Sequence, residues 1–112
     1  MGISKTQEFT WDEVRTAEFC RVLSSPSRIA ILKCIADKRA CICGDLVLEL
    51  PLSQSTISQH LKELKSIGLI QGEIDGPKMN YCINPIIWDE MRSSLNQFMK
   101  IADKLNACST KC

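Results

Sequence analysis

Ser53-Gln54-Ser55-Thr56-Ile57-Ser58-Gln59-His60-Leu61-Lys62-Glu63-Leu64-Lys65-Ser66-Ile67-Gly68 carries the strongest pattern in the chain. Apolar Ile57, Leu61, Leu64 and Ile67 return at helical spacing, so the segment predicts a helix with one apolar and one polar face. Ser53 can accept hydrogen bonds from the free N–H groups of the first turn. Gly68 is a good helix stop. Pro51, just upstream, ends an apolar segment at residues 45–50 that reads as a short helix carrying Leu46, Val47 and Leu50 inward.

Downstream, residues 69–74 and 79–83 read as two strands, with Asp75-Gly76-Pro77-Lys78 as the turn between them. Pro85 opens a long helix over residues 86–105, with Ile87, Met91, Leu95, Phe98, Ile101, Ala102 and Leu105 on one face. Towards the N-terminus, Trp11, Val14, Phe19, Val22 and Leu23 fit an amphipathic helix over residues 11–24. Ser24 and Ser25 then lead into Pro26, which suits a first helical position. Ile29, Leu32, Cys34, Ile35 and Ala36 line the helix that follows, which ends near residues 37–39. Residues 41–44 read as a loop.

The predicted order is α-α-α-α-β-β-α, mainly α with a small β hairpin. A short helix, a tight connection, a second helix and a hairpin make a winged helix-turn-helix. The expected organisation is a flexible start at residues 1–10, one domain at 11–105 and a cysteine-containing tail at 106–112. A terminal helix this long exceeds what a small domain covers by itself. Docking of a second copy through the terminal helices is the expected solution.

The polar face of the helix at residues 53–67 offers Gln54, Ser55, Thr56, Ser58, Gln59, His60 and Lys62. Amides and hydroxyls of this kind meet both base edges and phosphates in duplex DNA. Ser55, Thr56 and Gln59 are the candidates for base edges. His60, Lys62 and Lys65 are candidates for the backbone, with Lys78 and Asn80 from the wing. His60 alone reads equally as a structural histidine. The whole-chain charge is silent: 14 Lys plus Arg against 13 Asp plus Glu leave a net charge of +1. Basic residues can still gather on one face. No nucleophile–base pair or glycine-rich phosphate loop is present, so no enzyme is expected.

Seven cysteines in 112 residues are an odd count and cannot all pair within one chain. No signal peptide or membrane-length apolar run is read, so a reducing cytoplasm is the expected setting. Cys41-Ile42-Cys43 precedes the predicted short helix, whose free N–H groups favour thiolates. Thiolates select soft ions, including thiophilic arsenic and antimony. Two sulfurs leave a three-sulfur site incomplete. Cys108 and Cys112 of the tail are candidates to complete it, against the plain reading of an exposed chain end. Cys34 reads as a small buried apolar residue, Cys20 lies in the first helix, and the side faced by Cys82 is open.

The stretch Leu52 to Ile70 resembles the DNA-reading motif of the ArsR/SmtB family. Leu23-Ser-Ser-Pro-Ser-Arg-Ile-Ala-Ile-Leu32 is similar to that family's opening helix turn. The resemblance covers about residues 12–105. It implies a dimeric winged helix-turn-helix repressor that leaves operator DNA on binding a metal or metalloid. Arsenic-responsive members resemble this chain in their Cys-x-Cys, which often has a third cysteine close by. Here Val47 stands where that thiol would be, and Gly44 is extra. The expected inducer is As(III) or Sb(III), held by Cys41 and Cys43 with help from Cys108 and Cys112. Two other readings stand beside it: a repressor switched by cysteine oxidation or reactive sulfur, and a structural-Zn interaction module. A histidine-based site on the last helix is not expected, because His60 is the sole histidine.

Overall fold

The computed structural model describes the backbone of residues 8–37, 42–43, 50–75 and 78–106. Side chains are described for these residues except 42–43, 73–75, 78–80 and 104–106. Helix α1 runs over Trp11–Val22, and α2 over Pro26–Asp37. Strand β1 is Ile42–Cys43, and α3 spans Gln54–Ser66. The hairpin strands are β2, Ile70–Asp75, and β3, Lys78–Ile83. Helix α4 spans Pro85–Met99 and continues as a 3-10 helix over Lys100–Asn106.

The helix starts are chemically explicit. Thr10 and Glu13 form a reciprocal capping box at α1. Ser53 accepts from the Thr56 N–H at 3.3 Å and so caps α3. Asn84 does the same for α4, receiving the Ile86 and Ile87 N–H groups, with Pro85 in the first turn. Pro26 is the first residue of α2, as its fixed φ favours. After α3 the chain turns at Gly68, whose φ is +83°. A Cβ there would be strained by its backbone angle and would meet Ile87 Cγ1 at 3.4 Å.

The core lies where α1, α2, α3 and the base of the hairpin meet. Phe19, Val22, Ile31, Ile35, Ile57, Leu61, Leu64, Leu69 and Ile70 are its fully buried side chains. All four stripe residues of α3 are buried. On α2 the sequence pattern is corrected in detail: Ile31 is buried and Ala36 is exposed. On α4 only Met91 is buried, with Ile87, Trp88 and Leu95 packed against the core from its edge.

The sheet has three strands in the order β1-β3-β2, all antiparallel. A loop was expected at residues 41–44, but Ile42 and Cys43 form a strand, paired with Tyr81 and Asn80. Two residues are too few to show a strand period, and their partner strand is remote in sequence. The short helix expected at residues 45–50 lies outside the described residues except for Leu50, which is a bend. The turn residues 76–77, the start at residues 1–7 and the tail at 107–112 are also outside them.

Candidate nucleic-acid interface

Helix α3 presents the polar face that its sequence predicts. Gln54, Ser55, Thr56, Gln59, Lys62 and Lys65 are exposed, while Ser58 and His60 are half-buried. The first turn is held together by hydroxyls. Ser53 Oγ lies 3.2 Å from Ser55 Oγ and donates to Thr56 Oγ1 at 3.0 Å. Such bonds order the short side chains before any ligand arrives, which lowers the entropic cost of contact.

Two candidate contacts are already engaged inside the protein. Lys65 Nζ donates to the Gly72 carbonyl at 2.6 Å, tying α3 to β2. Its charge remains exposed, but its first role is to fix the helix against the wing. His60 Nδ1 lies 3.3 Å from an Arg28 guanidinium nitrogen. Arginine can only donate, so this bond requires Nδ1 as the acceptor and leaves the ring proton on Nε2. Arg28 also donates to the Val22 carbonyl at 2.7 Å and the Arg21 carbonyl at 3.4 Å. It therefore satisfies the C-terminal end of α1 while orienting a side chain of α3.

Sequence reading passed over three arginines. Besides Arg28, Arg21 pairs with Glu63 of α3 at 2.7 Å, in full view of solvent. The Arg21 bond holds the Glu63 carboxyl below its ordinary range. Arg15 donates to both carboxylate oxygens of Glu90 at 2.7 and 3.2 Å, and to the Ile67 carbonyl at 3.2 Å. Its guanidinium carbon stands 4.5 Å from the Phe19 ring centre. Hydrogen bonding by Arg15 lowers the Glu90 carboxyl and raises the Arg15 guanidinium. One arginine thus joins α1, α4 and the end of α3. A charge on a helix otherwise reads as solvated, so only the partner's position reveals such a role.

Lys78 and Asn80 both belong to β3, and the described structure places their backbone only. Of the predicted thiol ligands, Cys43 is placed in β1 by its backbone. Cys41, Cys108 and Cys112 lie outside the described residues. Among the described residues, no group of three His, Cys, Asp or Glu could hold a metal ion. Cys20 is exposed on α1, and Cys34 packs at the edge of the core. Cys82, left open by the sequence, is disulfide-bonded.

The profile described as "Bacterial regulatory protein, arsR family" matches residues 25–71, from the start of α2 into β2. The arsenical resistance operon repressor of Staphylococcus aureus is 36% identical over 76 residues, covering 68% of this chain and 72% of that protein. The chain belongs to the arsR family of bacterial regulatory proteins. Another relative, the HTH-type transcriptional repressor SmtB of Mycobacterium tuberculosis, is 39% identical over 64 residues. That match covers 57% of this chain and 47% of the repressor, so the chain spans about half of that relative's length. An ArsR-like transcriptional regulator from Rhodococcus sp. RHA1 shares the fold with a TM-score of 0.67 at 24% identity, over 85% of this chain and 89% of that one. The family is one of regulators rather than catalysts. Among the described residues no helix is long and apolar enough to cross a membrane.

Proposed function

We propose that the protein is a homodimeric, cytoplasmic transcriptional repressor that binds operator DNA through α3 and the wing. In this reading it releases the DNA when As(III) or Sb(III) is captured by cysteine thiolates. The polar, hydroxyl-ordered face of α3 beside a hairpin supports the DNA part. Ser55, Thr56 and Gln59 would meet base edges in the major groove, and Lys62 the phosphates. His60 would offer its Nε2–H, aimed by Arg28. Lys65, Lys78 and Asn80 would act at or beside the wing.

Exposed apolar residues on the terminal helices support the dimer. Trp11 on α1 and Ile86 and Phe98 on α4 are 72%, 77% and 52% exposed. Met99 and Ile101 extend the patch. Large apolar side chains gathered on adjoining helices are an interface signature. A second copy brings an identical patch to meet it.

The switch part rests chiefly on the Cys-x-Cys motif and on the place of β1. Ile42 and Cys43 pair across the sheet with β3, so these two residues of the motif are attached to the wing through the backbone. A trivalent metalloid supplies a soft Lewis-acid centre that draws thiolates together when bound. The protein's part is to couple that gathering to a different setting of β1 relative to α3. Release follows only if the bound state prefers that setting. The repressor named for arsenical resistance among the relatives supports this inducer class.

Fluorescence anisotropy of the reduced protein on its own upstream DNA, with and without arsenite, tests the reading. Release in the parent and none in a Cys41→Ser/Cys43→Ser variant is expected. DNA binding indifferent to arsenite in both proteins would overturn the metalloid switch. A second reading has its own observation: the disulfide at Cys82 favours a repressor switched by oxidation or reactive sulfur. It predicts release by a mild oxidant and recovery with reductant, with no arsenic retained.

A further inference from the structure

We infer that Arg15 is a positioning residue for operator recognition. By gripping the end of α3 from the two terminal helices, it sets the tilt of each reading helix and so the half-site spacing that the dimer accepts. This inference rests on the dimeric DNA-binding reading above and adds what fixes its geometry.

The end of α3 is built as an anchor. The Gly68 N–H closes onto the Lys65 carbonyl at 2.9 Å, and the Leu69 N–H onto the Leu64 carbonyl at 3.2 Å. The Leu69 carbonyl in turn accepts from the N–H of Asn84, the cap of α4, at 2.9 Å. Ile67 closes α3, and its carbonyl accepts from Arg15 at 3.2 Å. A cation suits this place, because helix C-termini carry partial negative charge. The candidate base-reading residues Ser55, Thr56 and Gln59 belong to the first half of the helix, away from the anchor.

Leverage follows from that separation. Thirteen residues at α-helical rise make a rod of about 20 Å. A tilt of about 10° at the anchor then moves the far tip by roughly 3.5 Å, close to one base-pair step of duplex DNA. A two-fold axis repeats the displacement in the second copy.

Arg15 is shaped to resist such a tilt. Its side chain is 13% exposed and lies against the Phe19 ring. It holds both Glu90 oxygens of α4 while one of its terminal nitrogens also reaches Ile67. The other terminal nitrogen faces Glu18, one turn on, at 3.6 Å. A planar guanidinium with several directed donors fixes angle as well as distance, which an ammonium does not. One rigid group therefore sets α1, α4 and the end of α3 at fixed angles to one another. Positions 60, 63 and 67 form one flank of α3 at helical spacing, held in turn by Arg28, Arg21 and Arg15. The Arg21 tie is exposed and so contributes less.

The Arg15–Glu90 pair adjoins the face proposed for dimerisation. Trp11 and Ile86 lie one helical turn before Arg15 and Glu90, respectively. All four line one hollow between α1 and α4. A second copy seated on Trp11 and Ile86 bears on this pair, and through it on α3.

The test is selection of binding sites in vitro. The full-length protein and its Arg15→Met variant each select from duplexes with a random central stretch. Recovered sequences give the half-site and the spacing between its two inverted copies. The parent is expected to recover one half-site at one spacing. Arg15→Met should recover the same half-site, because the residues that meet bases are untouched, but with the spacing spread by a base pair or more. On the parent's best duplex its affinity should fall about tenfold, within the usual range of coupling between sites. Affinity for unrelated DNA, and its salt dependence, should stay unchanged. Glu90→Gln keeps Arg15 but weakens its hold on α4, and should spread the spacing in the same sense to a smaller degree. It reads the same geometry should Arg15→Met fail to fold by circular dichroism.

Unchanged spacing and affinity in a folded, dimeric variant would overturn the inference and leave the repressor reading standing. An equal loss on operator and unrelated DNA would overturn it too, because that is the mark of lost fold rather than lost alignment. Loss of the dimer in sedimentation would do the same, since the pair would then hold the interface and not the reading helix. Recovery of no paired half-site by the parent would overturn the dimeric DNA-binding reading, and this inference with it.

Discussion

Helices α3 and α4 both carry an apolar stripe at helical spacing, and they bury it to different degrees: wholly on α3, and on α4 only along Ile87, Met91 and Leu95. The stripe of α3 is wholly internal: Ile57, Leu61 and Leu64 are buried to 1% exposure or less. On α4 only Met91 is buried, while Ile86, Phe98 and Met99 stand in solvent. Periodicity reports that a face wants to leave water but not what it will meet. For α3 the partner is the same chain. For α4, a second copy supplies the missing surface in our reading. The polar faces differ as well. That of α3 is ordered by Ser53 and Arg28, whereas α4 directs Glu90 inward to Arg15.

Substitutions can sharpen or break that contrast. The largest effect is expected at Leu61→Ala, which empties a fully enclosed site and should cost about 2–5 kcal/mol in urea unfolding. A loss below about 1 kcal/mol would mean that α3 is not the core element described here. Next comes the double substitution Phe98→Asp/Ile101→Asp, at the end of α4 and in the 3-10 turn that continues it. Sedimentation should show the dimer replaced by monomer, with helix content retained by circular dichroism. Unchanged mass would move the interface off α4.

A smaller effect is expected at Glu90→Gln, roughly 1 kcal/mol after solvent screening of a half-exposed carboxylate. Here pH provides a separate handle. Arg15 holds the Glu90 carboxyl below its ordinary value of 4.5, and unfolding restores that value. The unfolded chain therefore takes up this proton first as pH falls. The contribution is complete above the ordinary value and fades as pH drops through the lower folded one. Urea midpoints of the parent should fall more steeply on acidification than those of Glu90→Gln, and parallel curves would exclude the pair as a source of stability. The smallest effect is the capping change Ser53→Ala, about 0.5–1 kcal/mol. It should also weaken DNA affinity, since Ser55 and Thr56 lose their anchor. Full affinity in this variant would separate the cap from the interface.

Much of this architecture is legible in the residues. Pro26, Ser53, Gly68 and Pro85 mark boundaries through backbone chemistry that acts locally, and each stands at or beside the boundary it predicts. Four apolar residues of α3 identify the core face because a whole helix face repeats the message. What the sequence hides is what depends on distant partners. Strand β1 exists because β3 offers it an edge, and two residues show no period of their own. Arg15 and Arg28 become connectors only once Glu90 and His60 are brought beside them. The long helix predicted to residue 105 is α-helical to Met99 and 3-10 from Lys100, a tightening common at helix ends.

The sheet holds one further lesson in its unequal seams. Among the described residues, β3 meets β2 through six residue pairs and β1 through two. A joint of two pairs is easily remade, whereas one of six persists through substitution on its far side. For biosensor engineering, this asymmetry marks a graft boundary. A foreign ligand-binding loop spliced in place of β1 would interrupt the two-pair seam and leave the six-pair hairpin to carry the DNA-reading half over to a new chemical input.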